Sequence, residues 1–443
     1  MIAQRAARGT VLRLRHAGRR ILLSRSAEEA RILHAEAQWW ASDILRARQW
    51  GWLQEMLQVA WDESPFYRRR LAQIGPPPIG PEAFHRVAPL TRQELATHAA
   101  EIGRARPRGL RRTSGGSGGA AVSIPLDRET YGWYVAGTWR GFQWWGVDPG
   151  APIALLLGSS HVSPLHALLA RAKDCVVNWR RYPVDAGFDD RTPQVLDGLE
   201  RFQPALLYGY PSAVHRLVRT IRAQRRRPRV RPKAVVLTGE PLYVFQRQAI
   251  AETLECPVIE EYGSGELGSV AFECPHGTLH VTAEGVLLET VPAADGGERV
   301  LATHLRNRVF PLIRYEIGDI GVVDSEPCGC GRGLPTLRIL GRDRDRLDGA
   351  RSRSLARPLV ERCLGALPAD LQGRVRVVHP GAGVVVLDVE RPASGTIGGL
   401  EGVAEAAREA FDPGWRIEVR LVDRFERVPS GKLPYFLGAG QAS

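Results

Sequence analysis

A loop rich in glycine, serine and threonine, Thr113-Ser114-Gly115-Gly116-Ser117-Gly118-Gly119, is the most distinctive local sequence of the chain. Glycine lets backbone N–H groups approach an anion closely, and the hydroxyl groups add further donors, so such a loop can bind phosphates. A flexible linker has the same composition, and the loop taken alone leaves both interpretations open. It is not a Walker A loop, because the Gly-x-x-x-x-Gly-Lys-Ser/Thr pattern is absent.

A second group, Glu260-Glu261-Tyr262-Gly263-Ser264-Gly265-Glu266, follows an apolar run that is typical of a β-strand. Open α/β sheets bind ligands in loops at the carboxyl ends of their strands. There, Tyr262 could stack on a purine and Glu266 could hold Mg²⁺. A polar turn with an ordinary packed tyrosine is the alternative.

Two further groups lie downstream. Arg314-Tyr315-Glu316-Ile317-Gly318-Asp319 puts the Asp319 carboxylate after a glycine turn, where it could accept both hydroxyls of a ribose. Val428-Pro429-Ser430-Gly431-Lys432 carries one of only three lysines, the others being Lys173 and Lys233. We expect Lys432 in an exposed turn, where its ammonium could neutralise charge developing on a carboxylate or phosphate.

Cysteine and histidine residues suggest a separate metal site. Two short segments, Cys274-Pro-His276-Gly-Thr-Leu-His280 and Cys328-Gly-Cys330, offer four ligands suited to tetrahedral Zn²⁺. We predict Cys274, His280, Cys328 and Cys330 as ligands, with His276 as the substitute for His280. Reduced core thiols are the alternative. Cys175 and Cys256 are predicted in the core, and Cys363 in a helix.

The elements that must position these groups follow from hydrophobic periodicity. Helical spacing from Ala27 to about Leu71 predicts a helical cap, and Thr91 with Glu94 predicts a capped helix start. Short apolar runs alternate with helical segments from 152 to 261, which predicts an α/β fold with a largely parallel sheet. Residues 279–323 predict a smaller β subdomain. After the charge run 341–346, residues 359–422 predict a small α+β module.

Composition sets the broad class. The 443 residues exceed what a single core usually holds, and no apolar run approaches the roughly 20 residues of a membrane-spanning helix. The net charge of +12 favours anionic partners without choosing among them. The arginine-rich N-terminus predicts a frayed or packed leader helix, or else a basic amphipathic helix on an anionic surface. Its apolar stretches are too short and too often broken by arginine for a secretory signal, so we expect a cytoplasmic protein.

The order of these groups resembles the adenylate-forming superfamily of acyl-CoA synthetases and adenylation domains. Within it, the chain resembles the phenylacetate–CoA ligase branch, which includes relatives in capsular polysaccharide biosynthesis. The resemblance runs from the helical cap, through Ser64-Pro65-Phe66-Tyr67 and Tyr208-Gly209-Tyr210-Pro211-Ser212, to Lys432. Cysteine pairs similar to the predicted zinc ligands also occur in parts of this branch.

The resemblance implies a role for each group. Residues 113–119 would bind the phosphates of ATP, and Gly239-Glu240-Pro241 would form part of the adenine pocket. Tyr262 would flank the adenine, with Glu261 and Gly263 also among the nucleotide-binding residues. Glu266 would bind Mg²⁺, and Asp319 would hold the ribose. Arg342 would contact ribose or phosphate, and Lys432 would stabilise the adenylation transition state.

Three departures from the family pattern stand out. A lysine usually follows the last glycine of the phosphate loop, but this chain has Gly119, so Arg111 or Arg112 would supply the contact or it would be missing. The usual hinge acid aligns with Arg344, which is flanked by Asp343 and Asp345. No motif for the acceptor is recognisable.

The resemblance implies an α/β protein with a helical cap and leader (1–110), an adenylate-forming core (111–342) and a mobile C-terminal α+β domain (343–443). The implied function is an ATP-dependent ligase that forms an acyl- or aryl-adenylate and transfers the acyl group to a thiol, CoA. An amide- or ester-forming ligase and a degenerate nucleotide-binding scaffold are the alternatives. We expect a small carboxylic acid as substrate, no nucleic-acid partner, weak membrane-surface contact through the N-terminus, and a homodimer.

Overall fold

The computed structural model describes residues 25–103, 110–113, 122–158, 172, 174–225, 227–348, 353–368, 371–381, 383–391, 400–411 and 414–439. The chain divides into two compact units. Unit 1 comprises residues 1–151, 172–178 and 261–338, and unit 2 comprises residues 152–171, 179–260 and 339–443.

The helices of the described residues are α1 Arg25–Ala37, α2 Ser42–Glu63, α3 Pro65–Leu71, α4 Pro81–His85, α5 Arg92–Thr97, α6 Ala99–Ile102, α7 Arg128–Gln143, α8 Thr192–Phe202, α9 Pro211–Ala223, α10 Val244–Leu254, α11 Ala356–Gly365 and α12 Leu400–Ala410. The strands are β1 Leu110–Thr113, β2 Ser123–Leu126, β3 Ile153–Leu156, β4 Trp179–Arg181, β5 Leu206–Gly209, β6 Ala234–Thr238, β7 Val258–Ser264, β8 Gly268–Glu273, β9 Leu279–Val281, β10 Val286–Pro292, β11 Glu298–His304, β12 Tyr315–Asp324, β13 Thr336–Arg342, β14 Arg346–Asp348, β15 Arg353–Leu355, β16 Val375–Gly381, β17 Val384–Glu390, β18 Arg416–Val422 and β19 Phe436–Leu437.

The predicted helical cap is confirmed as α1, α2 and α3 of unit 1. In α2 the buried residues recur every three or four positions, which gives the helix one apolar face. Gln49 on this face donates to the carbonyl oxygens of Ala283 and Val286, at 2.9 and 3.1 Å. The predicted start of α5 is also confirmed, because the Thr91 and Glu94 side chains form a reciprocal capping box.

A buried polar cluster joins the helices of unit 1 to its strands. The Arg306 guanidinium lies between the rings of Trp52 and Trp133, 4.2 and 4.0 Å from their centroids. Nearby, Arg140 donates to the buried Glu284 carboxylate at 2.6 Å. Cation–π contacts and paired charges allow these groups to be buried.

The β subdomain predicted for residues 279–323 is confirmed within unit 1. The strand order is β10-β11-β12-β13-β9-β8-β7, and β7 belongs to unit 1 only from Glu261 onward. The pairs β10–β11, β11–β12, β9–β13, β8–β9 and β7–β8 are antiparallel. The side chains of Tyr67, Phe272 and Tyr315 are almost fully buried around this sheet.

Unit 2 contains the predicted parallel sheet. Its strands β4, β3, β5 and β6 pair in that order, all parallel. Because both faces of a parallel sheet are covered, these strands read as continuous apolar runs, such as Ala234–Thr238. The helices α8, α9 and α10 pack their apolar faces on the sheet, with Phe188, Leu207 and Val235 in the shared core.

The C-terminal α+β module is confirmed in unit 2 as a four-stranded sheet with the order β18-β17-β16-β19. The pair β16–β17 is antiparallel, and the pairs β17–β18 and β16–β19 are parallel. Helices α11 and α12 contribute to its core, which includes the buried Cys363 and Val403. In the part of the chain that the structure describes, no helix has the length and apolar character needed to cross a membrane.

Candidate active site and metal centre

Tyr262 and Asp319 form the most direct contact among the predicted nucleotide-binding residues of unit 1. The Tyr262 hydroxyl donates to Asp319 Oδ2 at 2.5 Å. Tyr262 lies on β7, whereas Asp319 lies on β12 one residue after Gly318, whose φ of +88° suits glycine. The predicted adenine-flanking ring and the predicted ribose carboxylate are therefore neighbours.

Glu266, the predicted magnesium ligand, is buried in unit 1 with a cation beside it. Its Oε1 atom lies 3.2 Å from Arg92 Nη1 and 3.4 Å from the Tyr315 hydroxyl. Tyr134 donates to the Glu266 main-chain carbonyl at 2.8 Å. Arg92 and Tyr134 were not predicted for the site, because Arg92 is separated from Glu266 by 174 positions and no local motif links them.

The phosphate-loop residues Ser114, Gly115, Gly116, Ser117, Gly118 and Gly119 lie outside the described residues. Thr113 ends β1 and pairs with Ser123 of β2. On the same strand, the Arg112 guanidinium lies 5.2 Å from the centroid of the Tyr134 ring, whose hydroxyl reaches Glu266. Arg112, one of the two candidates to replace the missing loop lysine, is therefore adjacent to a tyrosine that contacts Glu266.

The remaining predicted residues of β7 lie where the strand bends. Glu261 is buried and pairs with Phe272 of β8. The register shifts between Tyr262 and Gly263, and a Cβ on Gly263 would lie 2.4 Å from the Gly268 carbonyl oxygen. Glycine is required at position 263 by this close approach of two backbones.

In unit 2, Lys432 lies in a turn, as predicted, but the turn is exposed only in part: Pro429 is exposed, Lys432 is half-buried and Gly431 is buried. Residues 428–433 (the lysine turn) close on themselves through Gly431 N–H to Val428 O and Val428 N–H to Lys432 O, at 2.7 and 2.9 Å. The turn packs so closely that a Cβ on Gly431 would lie 2.0 Å from the Val184 carbonyl oxygen. A Cβ on Gly158 would be equally close to the Ser430 carbonyl oxygen. Glycine at 431 and 158 lets the turn lie against the end of the parallel sheet.

The Gly239-Glu240-Pro241 segment, predicted at the adenine, lies beside Lys432 within unit 2. A Cβ on Gly239 would be 3.5 Å from Lys432 Cε, and the Lys432 ammonium lies 5.7 Å from the centroid of the Tyr210 ring. Tyr210 also donates to the Ser430 carbonyl at 3.3 Å. Two predicted functional segments that are remote in sequence therefore meet at the carboxyl ends of β5 and β6.

The Glu240 carboxylate is engaged by protein donors. Its Oε2 atom accepts from Ser212 N–H at 2.9 Å, and its Oε1 atom accepts from the Ser212 hydroxyl and from Leu433 N–H, at 3.0 and 2.7 Å. Burial raises the pKa of Glu240, and the donated hydrogen bonds oppose that rise. Pro241, the last residue of the segment, is exposed.

Arg342 is exposed at the end of β13, in unit 2. Its carbonyl oxygen accepts from Asp345 N–H at 3.1 Å, which starts the turn into β14. The acids on either side of Arg344 are engaged locally, because Asp343 binds Arg346 at 2.7 Å and Asp345 lies 3.4 Å from Arg344.

The four predicted zinc ligands converge in unit 1. Donor atoms of Cys274, His280, Cys328 and Cys330 all lie within 4.8 Å of one another. Cys274 Sγ is 3.9 Å from Cys328 Sγ, and Cys330 Sγ is 3.2 Å from His280 Nε2. Ligands of a tetrahedral zinc ion with Zn–S bonds of about 2.3 Å are separated by roughly 3.8 Å, so the donor set and its spacing fit zinc.

The surroundings of the cluster orient its histidine. His280 Nδ1 lies 3.2 Å from the Leu334 carbonyl oxygen, which can only accept a hydrogen bond, so Nδ1 carries the hydrogen and Nε2, which faces the cysteines, is the nitrogen that could bind a metal. His276, the predicted substitute, packs beside Gly329. Of the other cysteines, Cys363 lies in α11 as predicted, whereas Cys175, predicted in the core, is exposed.

Comparison with known proteins finds similar sequences. No family model matches the chain. The chain is 28% identical over 149 residues to Protein CapK of Staphylococcus aureus, an alignment that spans 33% of each chain. It is 26% identical over 326 residues to a phenylacetate–coenzyme A ligase of Thermus thermophilus, covering 68% of this chain and 71% of the relative.

Solved structures share the fold. A 2-hydroxyisobutyryl–CoA ligase in complex with R3-HIB-AMP superposes with a TM-score of 0.73 at 20% identity, covering 88% of this chain and 89% of that one. An anthranilate–CoA ligase in complex with anthranoyl-AMP superposes with a TM-score of 0.52 at 16% identity, covering 73% and 65%. The chain is thus similar in sequence to Protein CapK and to a phenylacetate–coenzyme A ligase and shares the fold of these acyl-CoA ligases, in agreement with the resemblance that its motifs indicate.

Proposed function

We propose that this protein is an ATP-dependent carboxylate-activating ligase that forms an acyl- or aryl-adenylate and transfers the acyl group to a thiol, CoA. The observation that carries the proposal is the contact in unit 2 between Lys432 and Gly239, 3.5 Å from Lys432 Cε to the Cβ position of residue 239. This contact brings Lys432, the lysine of the Ser430-Gly431-Lys432 turn, to the segment that we expect to hold the adenine.

The similar proteins agree with this activity. The Thermus thermophilus relative is named a phenylacetate–coenzyme A ligase, and the two superposed ligases were solved with acyl-adenylates bound. We therefore assign ATP and CoA as co-substrates of a small carboxylic acid.

In the proposed first half-reaction, a carboxylate oxygen of the acid attacks the α-phosphorus of ATP. The new bond is P–O, the bond between the α-phosphorus and the bridging oxygen breaks, and pyrophosphate leaves with that electron pair. The Lys432 ammonium offsets negative charge that builds on the phosphorus centre. Asp319 and Tyr262 hold the ribose and the adenine, while Arg342 contacts ribose or phosphate.

Glu266 is the residue that we assign to Mg²⁺. A buried carboxylate is a suitable oxygen ligand, and the ion would supply charge neutralisation to the phosphates. Because Arg92 already lies 3.2 Å from Glu266 Oε1, the arginine would share the carboxylate with the ion or leave it. Arg112, close to Tyr134, is our candidate for the phosphate contact usually made by the loop lysine.

In the second half-reaction the thiol attacks the acyl carbonyl carbon and AMP leaves with the bridging oxygen. An amine or a hydroxyl would give an amide or ester by the same displacement. The segment Trp139–Trp145 is rich in aromatic residues, which could line a pocket for an aryl acid. In unit 1, however, Trp144 Nε1 donates to Gln38 and Trp145 Nε1 donates to the Glu273 carbonyl, at 2.8 and 2.9 Å, so these two rings are used in packing.

We assign a structural Zn²⁺ to Cys274, His280, Cys328 and Cys330. Four protein ligands leave no open position for substrate, which is typical of structural zinc. The ion would fix the β8–β9 turn to residues 328–330 in unit 1. We further propose a cytoplasmic homodimer whose arginine-rich N-terminus makes weak contact with anionic membrane surfaces; light scattering and vesicle flotation test these two features.

Acid-dependent exchange of labelled pyrophosphate into ATP tests the proposal. A panel of aliphatic and aryl acids is screened with the purified protein, followed by CoA, amines and alcohols as acceptors for the acid that gives exchange. The proposal predicts exchange with at least one acid and a thioester with CoA. A nucleotide-binding scaffold would bind ATP and give no exchange with any acid.

A further inference from the structure

Two side chains of unit 2, the half-buried Glu240 and the buried Arg427, hold the backbone on both sides of Lys432. Glu240 Oε1 accepts from Leu433 N–H at 2.7 Å, directly after the lysine. Arg427 Nη1 donates to the Gly431 carbonyl at 3.0 Å, directly before it. The position of the Lys432 backbone is therefore fixed by contacts that the lysine side chain does not make.

Ser212, at the start of α9, connects the two holding groups. Its hydroxyl donates to Glu240 Oε1 and accepts from Arg427 Nη1, each at 3.0 Å. Its backbone N–H donates to Glu240 Oε2 at 2.9 Å. The start of α9 and the lysine turn thus share one hydrogen-bond network.

Asp189 anchors the network to a third segment. Arg427 donates from Nε and Nη2 to Asp189 Oδ1, at 3.3 and 2.9 Å. The side chains of both residues are nearly inaccessible, 1% and 5% exposed, so the pair is shielded from solvent. Arg216 and Arg424 lie at 3.8 and 3.9 Å from the other Asp189 oxygen. Water competes weakly for such a pair, and its geometry is correspondingly well defined.

We propose that Glu240, Arg427 and Asp189 form a latch that positions Lys432 for adenylate formation. These are positioning residues: they act through the lysine turn and not on the reacting atoms. The inference rests on the proposed function, because it assigns the latch to the half-reaction that uses Lys432. Transfer of the acyl group to the thiol takes place at carbon and needs no charge compensation at phosphorus, so it does not require the latch.

The test separates the two half-reactions. Arg427→Gln and Asp189→Asn are assayed for pyrophosphate exchange with the best acid of the panel. The same proteins are assayed for thioester formation from the synthetic adenylate of that acid and CoA. We expect exchange to fall about 100-fold, as small displacements of a catalytic group can cause, with thioester formation within about twofold of the wild type. Equal losses in both assays, or unchanged exchange, would overturn the latch.

Milder variants test whether the loss of exchange results only from misfolding. Ser212→Ala removes only the connecting hydroxyl, and Arg427→Lys keeps the charge but loses the planar set of donors. In both variants, pyrophosphate exchange should fall while thioester formation stays near that of the wild type. The fall in exchange should be smaller than in Arg427→Gln. Arg391→Gln is the matched control, because its contact with Asp423 at 3.6 Å is exposed on both sides.

Amide hydrogen exchange tests the latch independently of activity. In Glu240→Ala and Arg427→Gln, the amides of residues 428 and 430–433 should exchange faster than in the wild type and in Arg391→Gln. Unchanged exchange rates would overturn the latch. A wild type that is inactive with every acid would refute the proposed ligase function, and the amide exchange would still decide whether these residues hold the turn.

Discussion

The hydroxyl of Tyr262 donates a hydrogen bond to Asp319 Oδ2 at 2.5 Å, across 57 positions of sequence. A carboxylate held by a tyrosine has a fixed orientation, which is useful if its second oxygen is to accept from a ribose. The proposed nucleotide site therefore predicts that Asp319 and Tyr262 contribute unequally to ATP affinity.

Asp319→Ala should weaken ATP binding by about 10- to 100-fold, because hydrogen bonds to a charged group contribute about 1.5–3 kcal/mol. Tyr262→Phe keeps the ring and removes only the orienting hydroxyl, so its effect should be smaller. Titration calorimetry with ATP measures both. Asp324→Asn, at the exposed end of the same strand, is the control. Equal affinities for wild type and Asp319→Ala would remove Asp319 from the nucleotide site.

The purified protein should contain about one zinc ion per chain, measured by plasma mass spectrometry. Cys274→Ser and Cys330→Ser should lose the metal and lower Tm, because metal binding contributes to folding free energy. Cys175→Ser, an exposed cysteine in the same unit, should keep both. A metal-free wild type prepared in zinc-supplemented medium would mean that the cluster consists of reduced thiols.

Stability should fall on acidification because of His304 in unit 1. Burial, assisted by the charge of Arg306, lowers the pKa of His304 to about 3, and its Nδ1 accepts from the N–H groups of Arg306 and Asn307. Between the unfolded pKa of about 6.5 and the folded pKa, the unfolded chain binds one more proton than the folded protein. The free energy of unfolding therefore decreases by about 1.4 kcal/mol per pH unit as the pH falls through this window.

His304→Gln removes this contribution, so its Tm should drop less than that of the wild type between pH 7 and pH 4.5. Thermal unfolding followed by circular dichroism measures the difference. His85→Gln replaces an exposed histidine and serves as the comparison. Parallel losses of Tm in wild type and His304→Gln would show that His304 does not set the acid response.

Lys432→Ala should abolish pyrophosphate exchange while keeping ATP affinity within a few fold, because the ammonium acts on charge that develops in the transition state. Lys432→Arg keeps a charge with a different shape and should recover only part of the activity. Unchanged exchange in Lys432→Ala would remove this residue from the mechanism.

The sequence predicted the α/β class and most elements, because apolar runs such as Ala234–Thr238 and the periodic spacing of α2 depend on local residues. The clustering of Cys274, His280, Cys328 and Cys330 was also predicted, since two short cysteine-containing segments offered few other combinations, and zinc at this cluster stays a prediction. The domain limits at 110 and 342, and the mobility of residues 343–443, stay predictions.

Partners that are distant in sequence could not be predicted. The lysine turn was expected to be exposed because Pro, Ser and Gly are typical of surface turns. It is packed because glycines at 158 and 431 permit close backbone contact, and because Glu240 and Arg427 reach it from remote segments. Arg92 beside Glu266 is a similar case, with no signal in the surrounding residues.

Oxygen-18 transfer tests most directly whether the protein forms an acyl-adenylate intermediate. The acid that gives the fastest exchange is labelled in its carboxylate and incubated with enzyme, ATP and CoA, and the products are examined by mass spectrometry. Attack of the carboxylate on the α-phosphorus predicts AMP that carries one labelled oxygen, unlabelled pyrophosphate, and an acyl thioester that keeps the other labelled oxygen in its carbonyl group. ADP with labelled phosphate, or AMP without label, would contradict an acyl-adenylate intermediate.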